Sequence, residues 1–119
     1  MARNRTLSDE ETQALSSLRG LCQAFADCEE TLSYGNPAFK RAGKRGSKAF
    51  AVLDRYKGHA CLWVLIDPVL RDDQLAAPGW FASPYDPRQT ALCCPLEKLD
   101  WSALGPVIEA SYHLAQART

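Results

Sequence analysis

The chain has 119 residues, 46% of them hydrophobic and 24% charged, and a formal net charge of zero. That composition is ordinary for a folded domain and excludes a collagen-like, low-complexity or wholly disordered chain. The longest apolar run, Ala60 to Ile66, is too short to span a bilayer, and no apolar stretch follows the basic start to suggest a secretory signal. The length fits one domain over residues 1–119, with Met1 to Thr6 as a flexible lead-in. A cytoplasmic protein without a membrane partner is expected.

Ser8 opens a helix. Its hydroxyl and Glu11 three residues on make a capping box, and Asp9, Glu10 and Glu11 suit the positive end of the helix dipole. Ala14, Leu18, Leu21, Cys22 and Phe25 form one apolar stripe, so the helix is expected to fade near Ala26 or Asp27. Strand-like runs follow at Thr31–Tyr34, Ala38–Lys40, Ala49–Leu53 and Ala60–Ile66, with turns expected at Gly35-Asn36-Pro37, Gly43–Gly46 and Lys57-Gly58. The last run is continuous rather than alternating, as in a central strand covered on both faces. Asp67-Pro68 predicts a second helix reaching about Ala77. A proline-rich loop from Pro78 to Pro87 carries Trp80, Phe81 and Tyr85, and Thr90–Leu96 is the last strand. Asp100 caps a final helix whose stripe is Trp101, Leu104, Ile108, Tyr112 and Ala115, with Gly105-Pro106 tightening or kinking its start. The order predicts an α+β fold: an antiparallel sheet of about five strands with helices packed on one face.

The charge is unevenly placed. Between Thr31 and Ile66 stand Lys40, Arg41, Lys44, Arg45, Lys48, Arg55 and Lys57 against one acid, Asp54, a local +6 in a neutral chain. Cations at hairpin tips suit contact with a phosphate backbone. His59 and Tyr56 flank the second tip and are placed to bond or stack. The expected partner is therefore a nucleic acid, and the expected nucleic-acid site is these seven cations with His59. The competing reading is a solvated basic face. Gly43-Lys-Arg-Gly46 matches a GXXG backbone clamp, but strands rather than helices flank it, so it reads as a turn.

Other chemistry is weaker. The five cysteines, Cys22, Cys28, Cys61, Cys93 and Cys94, make no Cys-x-x-Cys pair and read as buried, reduced thiols. Adjacent Cys93 and Cys94 in one strand should face opposite ways. The acids Asp9/Glu10/Glu11, Asp27/Glu29/Glu30 and Asp72/Asp73 could face a hard cation, although helix capping explains the first group. Trp63, Trp80, Phe81 and Tyr85 could line a small-ligand cleft or simply seal the core. Neither histidine completes a catalytic set, so no enzyme activity, catalytic residue, metal or cofactor is expected. Lacking a long exposed apolar stripe, the chain reads as a monomer.

From Leu18 to Ala115 the chain resembles the MmcQ/YjbR family. The stretches that carry the likeness are Glu30–Phe39, Lys48–Leu53, Cys61–Asp67, Pro78–Phe81, Pro84-Tyr85, Asp100-Trp101 and Ser111-Tyr112. The resemblance implies a CyaY-like fold, shared with frataxin, and double-wing DNA binding with hairpins as the wings. By position those wings are the turns bearing Lys44, Arg45 and Lys57. Where that family usually has a Gly-Trp start to the last strand, this chain has Gln89-Thr-Ala-Leu. The kinship with frataxin leaves metal handling or protein interaction as an alternative function.

Overall fold

The structure, a computed structural model, describes residues 6–42, 49–84, 88 and 90–115. Its elements are α1 (Asp9–Cys22), β1 (Cys28–Ser33), β2 (Asn36–Arg41), β3 (Ala49–Tyr56), β4 (His59–Leu65), α2 (Arg71–Leu75), β5 (Phe81–Ala82), β6 (Ala91–Pro95) and α3 (Leu104–Leu114), with two short 3₁₀ turns between β6 and α3. The described strands form one six-stranded antiparallel sheet in the order β1-β2-β3-β4-β6-β5, with α1 and α3 packed on one face. The sixth strand is β5, two residues inside the proline-rich loop, where Phe81 and Ala82 pair with Cys93 and Leu92.

The helix ends follow local chemistry. Ser8 Oγ accepts from Glu11 N at 3.2 Å and Glu11 Oε1 accepts from Ser8 N at 3.0 Å, completing the expected capping box. Helix α1 stops at Cys22, a turn earlier than its apolar stripe suggests. The second helix is shorter than expected at both ends. Asp67 spends its carboxylate on Val69 N at 2.8 Å, which holds a turn there, and α2 begins only at Arg71. Asp100 caps the 3₁₀ turn Trp101–Ala103 rather than α3 itself, and Pro106 sits in the first turn of α3. Proline is tolerated there because its missing N–H would have no helical partner.

The sheet splits the chain's chemistry by face. Leu53 opposes Leu62, and Leu62 opposes Cys94; this row faces the helices. Val52 opposes Trp63, Trp63 opposes Cys93, and Cys93 opposes Phe81; this row lies on the other face. Cys93 and Cys94 thus point opposite ways, as their adjacency requires. The helix-side core is centred on Leu18, Phe50, Leu53, Leu62, Leu104 and Ile108, all buried. Gly79 closes the loop over this side. With φ at +88°, it stands where a Cβ would meet Lys98 Cβ at 2.7 Å.

One buried hydroxyl joins α3 to the two longest strands. Ser111 Oγ donates to Phe50 O at 2.5 Å and accepts from Leu65 N at 2.9 Å. It bridges β3 and β4 just past Ala51–Val64, the last pair of their ladder. Replacing Ser111 with Ala leaves a carbonyl and an amide unsatisfied in the core. We expect a loss of about 1–3 kcal/mol in chemical denaturation with the fold retained, whereas Ser102→Ala, on the surface, should cost less than about 1 kcal/mol.

Candidate functional site

Of the eight residues expected to hold nucleic acid, the five that are described do not lie together. Arg55 projects to the helix side of β3. Its Nη2 donates to Glu11 Oε1 at 2.6 Å and to Thr6 O at 3.1 Å, and its Nε donates to Glu11 Oε2 at 3.3 Å. Arg41, also on the helix side, donates from Nε to Asp27 Oδ2 at 3.0 Å, and its guanidinium lies 4.5 Å from the Tyr112 ring centroid. Lys40 stands directly opposite Glu29 on the other face and pairs with it loosely, Nζ to Oε1 at 3.7 Å. Lys57 and His59 are exposed at the turn between β3 and β4. Lys44, Arg45 and Lys48, with the Gly43–Gly46 turn, lie outside the described residues. Of the start expected to be flexible, Met1–Arg5 also lie outside them, while the Thr6 carbonyl holds Arg55.

Two hairpin tips share one end of the sheet. The β1–β2 tip is Tyr34-Gly35 and the β3–β4 tip is Lys57-Gly58, each a two-residue loop between paired strand ends. Their φ angles nearly coincide, +52° and +83° at the first tip and +51° and +82° at the second, the paired positive values of a type I′ turn. The tip expected at Gly35-Asn36-Pro37 therefore lies one residue earlier. Asn36 and Pro37 begin β2, and the ladder to β3 starts at Ala38, beyond the proline that has no N–H to give. Tyr34 is 100% exposed. Lys57 Nζ lies 5.4 Å from the Tyr56 ring centroid, and Tyr56 leans on Phe81 with centroids 5.6 Å apart. Sequence reasoning missed Tyr34. The signal was Gly35 at the second tip position, obscured by the more conspicuous Asn36-Pro37.

Between these tips and β6 the helix-free face is hollow. A cavity of about 560 Å³ is floored by Ala49, Val52 and Trp63 and edged by Ser33, Asn36 and Asp54. Asn36 Nδ2 donates to Asp54 Oδ1 at 3.2 Å, as does Arg55 N at 2.7 Å. Trp80 does not join Trp63 here. It lines a separate cleft with Leu99 and Leu104 on the helix side, so the expected cleft of grouped aromatics is not formed by these two rings. Tyr85 lies outside the described residues.

The carboxylates proposed as metal ligands mostly hold other side chains. Glu11, 1% exposed, serves the cap and Arg55. Glu30 takes both Nε and Nη2 of Arg19, at 2.7 and 2.8 Å. Asp27 accepts from Arg41 and from the Tyr112 hydroxyl. Among the described residues, no three His, Cys, Asp or Glu side chains gather to hold a metal ion. The five thiols are free, and burial pushes Cys22 and Cys93 up to about 12 and Cys94 to about 11, away from the reactive thiolate.

No protein-family model matches the chain, and no curated protein matches it. Solved structures do. The Deinococcus radiodurans protein DR2400, with a DUF419 domain, superposes with a TM-score of 0.71 at 19% identity over 84% of this chain and 76% of that one. A Pseudomonas syringae protein superposes with a TM-score of 0.66 at 13% identity over 85% and 97%. At these identities the likeness is one of fold. Among the described residues no helix is long and apolar enough to cross a membrane.

The Tyr112 cluster has a pH signature. Phe25 stacks on the Tyr112 ring with centroids 4.1 Å apart, and Phe50 meets it edge-on at 5.4 Å. The Tyr112 hydroxyl, and then Arg41, hold the Asp27 carboxyl below its usual range, while that same bond and burial raise the Tyr112 phenol. A lowered Asp27 stabilises the fold above about pH 4, and this is lost as pH falls through its folded value. A raised Tyr112 stabilises the fold below about pH 10, and this is lost as pH rises through its folded value. In Tyr112→Phe, carboxyl NMR titration should show Asp27 moving up toward its ordinary value. Denaturation series against pH should show the tyrosine's alkaline loss gone.

Proposed function

We propose that this chain is an MmcQ/YjbR-like, DUF419-type domain that binds double-stranded DNA as a monomer through the phosphate backbone, with hairpins as wings. The fold shared with the DUF419 protein and the sequence resemblance support the family; the +6 segment supports the polyanion. The observation that carries the reading is the pair of I′ tips at one end of the sheet, one presenting a wholly exposed Tyr34 and the other Lys57. Both are bulky residues held at positive φ, a conformation that disfavours them and that gathers at binding sites.

The cast of contacts is narrower than the charge count. Lys57 and His59 reach phosphate from the tip, and Lys40, in a loose surface pair, exchanges Glu29 for phosphate at little cost. Lys44, Arg45 and Lys48 contribute on sequence grounds. Arg41 and Arg55 fasten the sheet to the helix side and do not touch DNA. The metal-handling alternative has no comparable support, because Glu11, Asp27 and Glu30 each hold an arginine.

Fluorescence anisotropy with a short labelled duplex tests the proposal. Binding should weaken with salt, with a log–log slope of about −3 to −5 for four or five phosphates. Lys57→Ala and the triple Lys44/Arg45/Lys48→Ala variant should each lower affinity and flatten that slope. Arg55→Ala should lower the melting temperature yet leave the affinity of the folded fraction unchanged. A duplex that stays unbound at low salt, or equal affinity in the Lys57 and triple variants, rules the reading out.

A further inference from the structure

The hollow face of the sheet has a chemistry opposite to that of the basic tips. Its floor is apolar and aromatic, Trp63 with Val52 and Ala49, and its volume of about 560 Å³ falls in the range of small-molecule sites. Among its described lining residues the one charged group is Asp54. Both hydrogen bonds that Asp54 accepts, from Asn36 and from Arg55 N, go to Oδ1. They orient the carboxylate and leave Oδ2 to face a ligand. The Arg55 guanidinium does not neutralise it, because alternation along β3 sends that side chain to the helix side and onto Glu11. Tyr34 stands at the edge, wholly exposed, so a second π-face is within the same site.

We propose that this cavity binds a small organic ammonium ion with an apolar body. The ammonium sits against Asp54 Oδ2, gaining a charge-assisted hydrogen bond or close ion pair. The apolar body lies on Trp63, and the cation gains further from the electron-rich faces of Trp63 and Tyr34. An anion is rejected by the same carboxylate, so this cavity is not where phosphate binds. The inference is separable from the DNA reading: Tyr34 is common to both, but this one turns on Asp54 and Trp63, whereas that one turns on the cations of the tips.

The probes are phenethylammonium, its neutral isostere phenethyl alcohol and its anionic counterpart 3-phenylpropionate, each titrated into the unaltered chain. Calorimetry gives affinity, and the Trp63 indole N–H resonance, assigned by its loss in Trp63→Phe, gives the place. Phenethylammonium should saturate and shift that resonance. The alcohol should bind about tenfold more weakly and the carboxylate more weakly still. Asp54→Asn keeps an oxygen for Asn36 and Arg55 N, and it should abolish the preference for charge. Equal affinity for all three probes overturns the proposal. So does a shift confined to the Trp80 or Trp101 indoles, or failure of phenethylammonium to saturate. The probe series on the unaltered chain decides the matter even if a variant fails to fold.

Discussion

A carboxylate withdrawn from water must be paired and hydrogen-bonded, or it will take up a proton or open the fold. Glu11 is that carboxylate. One of its oxygens completes the cap of α1 and also meets Arg55, and its other oxygen meets Arg55 as well. Arg55 in turn reaches the carbonyl of Thr6, on the strand of chain entering the helix. The start of α1 and the far end of β3 are thus held at one point, 44 positions apart in sequence. Removing the guanidinium takes a charged partner from a buried carboxylate, which costs more than a surface ion pair contributes. Arg55 therefore has a structural partner that a phosphate would have to displace at great cost.

That clasp also fixes which way β3 faces. With Arg55 and Leu53 turned to the helices, Asp54 and Val52 must turn to the open face, and a slip of one residue would exchange the two sets. Within the segment that looks basic by composition, β3 consequently shows an acid on its helix-free side, and the cation Lys57 comes only beyond its end. One alternation separates two environments that a charge count merges: an electronegative hollow on the sheet and basic tips at its rim.

Much of the architecture was legible because local rules produced it. The capping box at Ser8, the continuous run of β4, the stripe of α3 and five of the strands follow from spacing and side-chain type. What escaped was decided at a distance. Strand β5 is two residues long and pairs only because β6 offers an edge, so no periodicity could announce it. Trp63 and Trp80 look like companions in sequence, yet the sheet stands between them. The basic segment read as one surface because Asp27 and Glu11, which engage two of its arginines, lie outside it. Local charge counts register no partner brought in by the fold. The open-face cavity had no sequence signal beyond Trp63, since its other walls come from hairpin residues with no common spacing.

The tips pose the remaining physical question. A left-handed backbone costs a residue with a Cβ about 1–2 kcal/mol, and glycine, asparagine or aspartate would take the first tip position more easily. For Lys57 the fold offers some return, since its ammonium lies near the Tyr56 ring. For Tyr34 it offers none that burial can supply: the side chain is wholly exposed, with its apolar ring in water. Turn geometry asks for a small residue, and the core gains nothing from a phenol there. A strained, solvent-facing aromatic at one tip and a strained, solvent-facing cation at the other are hard to account for by stability alone. They are accounted for if the return comes from a surface outside the chain, one that offers a face to stack on and a negative charge to hold.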